Sequence, residues 1–472
     1  MNQTPFRAWI LLFLLTSLGG SLAAQQNYQT YRLSAEEAKN FALQHVIDIK
    51  NLKIDRDIQE AKNREITGQA MPQLNGTLSL QRFFVIPTQL LPDFVTPAVY
   101  GVLESEGVQD GNGNPIMKPG GPPNYLPAQF GVPWQTSAGF SFQQLLFQPD
   151  VFVGLQARSA ALKYADLNVK LMEDSVKSNV LRSYYAVVIA EKRQVYLKES
   201  ITRLEKLLAD QEKLFKSGFA EKLDIDKTQV NLNNLKATSS QFDNLIYIGY
   251  ASLKYAMGLS QQDTLVLTDT LSSDAVKKEL LSSADFRYED RTEIQLINTV
   301  TELQQLDLKR YKLQYVPTLS AYWNYSQNAL RKEFNFFDFS EPWFPTSIVG
   351  VNMNVPIFDG FQKHNRIKQA RYTLEKTQNN KENLQRVIDF QREAAVNQLR
   401  NSLTTLDIQD RNMALAQKVF NTTRKKYEQG IGSSFEILQS DTDFQNAQSN
   451  YFQALYDAVN AKIVYYRSLG KL

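Results

Sequence analysis

The 472-residue sequence is 43% hydrophobic and 21% charged, the balance of a chain that folds rather than one that stays disordered. Its formal charge is only +3, so it lacks the basic excess that marks nucleic-acid binding. It has no cysteine, which excludes a disulfide framework, thiolate metal ligation, a cysteine nucleophile and a lipidated N-terminal cysteine, and its two histidines, His45 and His364, lie too far apart in sequence to suggest imidazole chemistry.

Residues 1–24 read as a secretory signal. Arg7 is followed by an apolar stretch from Ala8 to Leu18, broken only by Thr16 and Ser17, and then by the small residues Gly19, Gly20, Ser21, Ala23 and Ala24. The apolar run is shorter than the roughly 20 residues a membrane anchor needs. No later stretch is long enough for a spanning helix, so a helical membrane protein is excluded after cleavage, whereas alternating β-barrel strands escape a hydropathy scan.

A first structural repeat is expected over 25–260. It opens with a helix from Ser34 to about Thr67, started by the capping-box pattern Ser34-Ala35-Glu36-Glu37 and halted before Pro72. Residues 72–148 are expected to form a strand pair. Leu74, Gly76, Leu78 and Leu80 alternate with Asn75, Thr77 and Ser79, and Phe140 and Phe142 stand two apart. Between them, Pro87 to Pro133 holds nine of the sixteen prolines and reads as an irregular external loop. Its run Asp110-Gly111-Asn112-Gly113-Asn114 suits a chain of tight turns better than a calcium loop. A long helix, about Asp150–Lys216, a break at Gly218 and a returning helix complete the repeat. Residues 261–290 form a linker with an alternating stretch at Leu265-Val266-Leu267, read as a small mixed side domain.

The second repeat, 291–472, has the same order: a helix to about Leu313, Pro317, a strand pair over 317–358, a long helix from about Gly360 to Glu428, a break at Gly430 and a return helix. The stretch Phe215-Lys216-Ser217-Gly218-Phe219 recurs as Tyr427-Glu428-Gln429-Gly430-Ile431 at an offset of 212, and Gly139 recurs as Gly350 at 211. Val349, Val351, Met353, Val355 and Ile357 alternate with polar residues, and Phe334, Phe336, Phe337, Phe339 and Phe344 make the second loop aromatic. Trp134, Trp323 and Trp343 fall in or beside the strand segments, as interfacial aromatics of a membrane barrel do.

The long helices keep an apolar seven-residue spacing: Ile201, Leu208, Phe215 in the first, with Leu197, Leu204 and Gln211 alternating with them in 4–3 steps, and Leu399, Leu406, Met413, Phe420, Tyr427 in the second. Such a seam holds neighbouring helices side by side, and each rod would reach roughly 100 Å at about 1.5 Å per residue. Four strands cannot close around water, and lipid tolerates no open edge, so several chains must pool their strands; three copies give a closed ring of twelve.

At this point the chain resembles the TolC-like outer membrane efflux proteins. The resemblance covers nearly all of the expected mature chain. It is carried by Leu33-Ser34-Ala35-Glu36-Glu37-Ala38, by the junctions Met71-Pro72-Gln73-Leu74 and Val316-Pro317-Thr318-Leu319, by Phe358-Asp359-Gly360-Phe361, and by the duplicated order. It implies a mainly α fold with membrane β: a homotrimer whose 12-stranded β-barrel, four strands per protomer, is continuous with a 12-helix α-barrel. It further implies an exit duct in the bacterial outer membrane reaching into the periplasm and serving an inner-membrane pump through a periplasmic adaptor. Ser217, Gly218 and Phe219, with Gln429, Gly430 and Ile431, match the tips an adaptor recognises, although a glycine there also serves simply to reverse a helix. Asp224, Glu436 and Gln439 fall on the family's tunnel constriction, where Gln439 replaces an acid; Asp224 and Glu436 read equally as helix N-terminal acids. The basic gate residue of some relatives falls on Gly432, which puts a salt-bridge lock in doubt.

No phosphate-binding loop, nucleophile elbow or HExxH motif occurs, so a passive conduit is expected rather than an enzyme, with no cofactor or metal. The competing reading is an exported coiled-coil scaffold with a soluble β-head. A periplasmic adaptor is opposed by the duplicated strand pairs and the missing cysteine.

Overall fold

The computed structural model describes residues 29–118, 120–121, 125–278, 286–338 and 340–472; the expected signal at 1–24 and Phe339 lie outside the described residues. The chain divides into two units, Met1–Asp57 with Lys163–Val300 and Thr377–Leu472, and Ile58–Leu162 with Thr301–Lys376.

The first unit is helical. Strand β1 (Thr30–Leu33) leads into α1 (Ala35–His45). The capping box is complete: the Glu37 amide donates to Ser34 Oγ and the Ser34 amide to the Glu37 carboxylate. The Ser34 amide and hydroxyl, both donating to the Glu37 carboxylate, hold that carboxyl below its ordinary pKa. The single helix expected to Thr67 is interrupted, because Val46 adopts an extended backbone and α2 (Ile47–Gln69) starts after it. A β-branched residue takes that conformation readily.

The long helices are α4 (Pro149–Lys216) and α8 (Gln362–Glu428), which return as α5 (Lys222–Met257) and α9 (Ser434–Ser468); the short α3 (Val95–Ser105) lies in the second unit. Their seams are buried at Leu204, Leu399, Leu406 and Phe420, while Phe215 at the seam's end is exposed. The main core joins Ala38 and Ala42 of α1, Val180 and Tyr184 of α4, Leu253 and Met257 of α5, Leu406 of α8, and Phe452 and Leu455 of α9. Each of the larger apolar side chains contributes about 1.5–3 kcal/mol by leaving water.

The described start of the linker, residues 261–278, contributes side chains to this core. Its strand β6 (Thr264–Leu267) pairs in parallel with β1, and Leu265, Leu271 and Val276, the last on α6 (Ser273–Lys278), are core residues. Tyr184 Oη donates to the Leu33 carbonyl at 3.0 Å and accepts from the Asp269 amide at 3.2 Å, so one buried hydroxyl ties β1 to the linker.

The second unit carries the ends of the long helices, α7 (Thr292–Leu313) in its later part, and an antiparallel sheet. The sheet joins β2 (Gln73–Arg82), β5 (Trp134–Phe147), β7 (Thr318–Arg331) and β8 (Phe344–Asn354) in the order β2-β5-β7-β8. The expected irregular loop between β2 and β5 has structure of its own: a two-stranded ribbon, β3 (Thr88–Pro92) with β4 (Tyr125–Gln129), and the helix α3 (Val95–Ser105). The Asp110 run is a turn in which Asp110 Oδ1 accepts the amides of Asn112 and Asn114, both at 2.9 Å, and these bonds hold its carboxyl below its ordinary pKa. The second loop is confined to residues 332–343, within the Gln327–Pro345 span expected from the sequence, because β7 extends to Arg331 and β8 begins at Phe344.

Candidate functional site

Both long helices end in the same hydrogen-bonded motif. After α4, the Gly218 amide donates to the Phe215 carbonyl at 2.9 Å and the Phe219 amide to Leu214 at 2.8 Å. After α8, Gly430 donates to Tyr427 at 3.0 Å and Ile431 to Lys426 at 3.1 Å. This is the Schellman arrangement, which requires a left-handed residue; Gly218 and Gly430 supply it with φ of 80° and 76°. The residue after each glycine is apolar and turned into solvent: Phe219 is 83% exposed and Ile431 71%. Leu223 and Phe435, near the starts of the return helices, are exposed as well. Ser217 and Gln429 are exposed beside them.

Asp224 and Glu436 occupy equivalent places, each in the first turn of its helix. The Glu436 amide donates to the capping Ser433 Oγ at 3.2 Å, and its side chain is exposed. Gln439 is one turn on, exposed, and donates to Asp443 at 2.9 Å. Gln439 and Leu223 line one cleft of about 450 Å³ between α5 and α9. Asp224 is half-buried. Burial raises the Tyr427 pKa, and the charges of Asp224 and Asp210 raise it further.

Beneath these turns lies a polar set that the seam pattern concealed. Gln211 stands at an apolar seam position, is fully buried, and donates to Ser434 Oγ at 2.7 Å, joining α4 to the start of α9. Asp441 is 3.5 Å from Arg203 and accepts from Gln445, and the Arg203 guanidinium lies over the rings of Phe420 and Phe444. Burial raises the Asp441 pKa despite the arginine. The signal for Gln211 was its polarity in an apolar heptad position; nothing local distinguished Asp441 from an exposed acid. Gly432 is close-packed: a Cβ there would lie 2.9 Å from the Tyr427 amide nitrogen, so this backbone has no room for a basic side chain.

The sheet presents two chemically different faces. Across the strands, one face carries Leu74, Leu78 and Leu80, then Phe140 and Phe142, then Ala321, Trp323 and Tyr325, then Val349, Val351 and Met353. The other carries Asn75, Thr77 and Ser79, then Ser137 and Ser141, then Asn324 and Asn328, then Asn352 and Asn354. Close backbone contact at Gly139, where a Cβ would meet the Tyr325 carbonyl at 2.2 Å, and the Tyr322 ring over Gly350 explain the recurrence of glycine at those two places. The apolar face is open to solvent in a single copy: Leu78 is 79% exposed and Val349 78%. Strands β2 and β8 each pair on one side only among the described residues, and apart from Arg82 neither carries a charge that would block a neighbour. Trp134 lies at one sheet end under the Arg82 guanidinium, whereas Trp323 is within β7 and donates to Ser347 at 3.0 Å. Among the described residues no helix is long and apolar enough to cross a membrane.

Residues 304–471 match the outer membrane efflux protein family. The chain is 19% identical over 347 residues to outer membrane protein TolC of Vibrio cholerae serotype O1, a match covering 71% of this chain and 77% of that protein. It is 18% identical over 300 residues to the proteases secretion protein PrtF of Dickeya chrysanthemi, covering 62% and 63%. Its fold is similar to the solved structure of CusC, with a TM-score of 0.71 at 15% identity over 95% of each chain.

Proposed function

We propose that this chain, TolC-like in sequence and in fold, is the outer-membrane exit duct of a tripartite efflux or type I secretion system, a passive conduit rather than an enzyme. It resides in the bacterial outer membrane and extends into the periplasm. Three copies pair β2 of one with β8 of the next, closing a 12-stranded barrel from four strands each, and their long and return helices, four from each copy, form a 12-helix barrel. The apolar face of the sheet meets lipid and the amide-lined face meets water. The observation that carries this reading is the two-faced sheet with both edges open, since lipid leaves no unpaired edge and water leaves no such apolar face uncovered.

The exposed turns Ser217-Gly218-Phe219 and Gln429-Gly430-Ile431 are the docking tips for a periplasmic adaptor, which links the duct to an inner-membrane pump. Their paired apolar residues, set beyond rigid helix ends, support that role. Asp224, Glu436 and Gln439 form the constriction, with three copies of Glu436 gathering negative charge that attracts cations.

Native mass spectrometry of the detergent-purified chain, followed by planar-bilayer recording, tests the proposal. A trimer that forms stable conducting pores is expected. A stable lipid-free single copy without conductance would instead establish the coiled-coil scaffold with a soluble β-head.

A further inference from the structure

In the helical unit, the loop before α7 meets α4, α8 and the end of α9 around a cavity of about 560 Å³. Three arginines line it: Arg182 from α4, Arg291 from the loop and Arg467 from the last turn of α9. The lining contains one acid, Glu293.

Arg291 is buried and fully engaged. Its Nε and Nη2 donate to the two Glu293 oxygens at 3.1 and 2.9 Å, and its Nη1 donates to the Ser468 carbonyl at 2.9 Å. Burial pushes the Glu293 carboxyl up, but the bonds from Arg291 and the charges of Arg291 and Arg467 outweigh it and hold the pKa below its ordinary value. Glu293 is thus ionised and committed to Arg291.

Arg182 and Arg467 make no ion pair among the described residues, and Arg182 Nε is buried without a hydrogen-bond partner. Several acids close in sequence to the lining are engaged elsewhere, Glu393 among them, which accepts from Asn397 at 3.1 Å. Asp174 accepts from Thr292 and pairs with Lys177, Asp389 accepts from Tyr288 Oη, and Asp290 pairs with Arg287. Arg182 also borders a second cleft that contains Asp48, again with no ion pair between them among the described residues. The cavity therefore holds two cationic groups beyond what its own carboxylate balances. Side-chain amides of Gln391 and Gln398 and the ring of Phe390 complete the wall.

Guanidinium groups with free donors match the paired oxygens of a carboxylate or phosphate, and a partly enclosed setting strengthens such bonds. We propose that this cavity binds a small oxyanion, a carboxylate or a phosphate, held by Arg182 and Arg467, with Arg291 fixed behind them by Glu293. The site is independent of the duct reading, because every group in it belongs to one copy.

The test uses the full chain as purified in detergent, with inorganic phosphate as the probe at constant ionic strength and chloride as the reference anion. Calorimetric titration and thermal unfolding are read together. Saturable binding of one phosphate per chain and a rise in Tm are expected. Arg182→Gln and Arg467→Gln should each weaken the apparent affinity at least tenfold, while circular dichroism shows the helices retained. Glu293→Gln should act in the opposite direction, tightening phosphate by removing the competing carboxylate and freeing Arg291. The proposal is overturned if the wild-type chain shows no saturable phosphate binding, or if the double variant binds as the wild type does.

Discussion

The helical unit and the sheet solve the problem of apolar surface in opposite ways. In the helical unit Tyr184, Leu253, Met257, Leu406 and Leu455 are withdrawn from water within one copy, and the described start of the linker contributes to the same core. In the sheet, β2 is exposed along its whole length and β8 everywhere except Gly350. Strand pairing there is continuous apart from one register shift between Leu145 and Phe147, yet the apolar side chains remain uncovered. A helix bundle can finish its burial with its own return helices; a four-stranded sheet has two edges and two faces, and backbone pairing alone satisfies neither edge. The difference separates what one copy stabilises by itself from what it needs lipid and neighbours to complete.

Substitutions that treat the two units differently test this contrast. Leu406→Ala, at the centre of the helical core, should lower stability by about 2–5 kcal/mol, measured by denaturant unfolding of the detergent-solubilised chain. Val351→Arg, on the exposed apolar face of β8, should cost about 2–4 kcal/mol of membrane stability while leaving the helical signal of the single copy intact. If Val351→Arg unfolded the helices as Leu406→Ala does, the sheet would not be the assembly-dependent part.

The helix ends should respond in function rather than stability. Phe219→Asp with Ile431→Asp alters exposed side chains, so unfolding should shift by no more than about 0.5 kcal/mol. Efflux in cells should nevertheless fall to background with trimers still present, and normal efflux would remove the docking role. Glu436→Ala should likewise leave the trimer intact but abolish block by divalent cations in planar bilayers. Unchanged block would leave Glu436 as a helix-terminal acid in the turn capped by Ser433.

The smallest effects are in pH dependence, and two acids of the helical unit, the partly buried Glu293 and the buried Asp441, should move oppositely. The Glu293 pKa is depressed, so its contribution is present at neutral pH and is lost as pH falls below the ordinary glutamate value and through the folded one. The stability lost in Glu293→Gln should therefore shrink on acidification. The Asp441 pKa is raised by burial, so ionisation counts against folding as pH rises past the ordinary aspartate value and through the folded one. The stability of Asp441→Asn relative to wild type should improve over that rise. Thermal melts across an acidic pH series separate the two; parallel trends would contradict the assigned causes.

Much of this architecture was legible before any coordinates. The seven-residue seam placed Leu399, Leu406 and Phe420, the glycines marked both helix ends, the Ser34 capping box located a helix start, and alternation gave each strand its two faces. These are short-range properties, fixed by the period of a helix or strand and by the φ that glycine tolerates. The tertiary structure alone decided which faces align across four strands, that β6 pairs with β1 across more than two hundred residues, and that α3 and a ribbon occupy the proline-rich loop. It also decided that Gln211 finds Ser434, that Asp441 finds Arg203, and that three arginines from distant segments share one cavity. A charged or amide side chain carries no periodic signature of its partner; only the path of the folded chain brings the second group within reach.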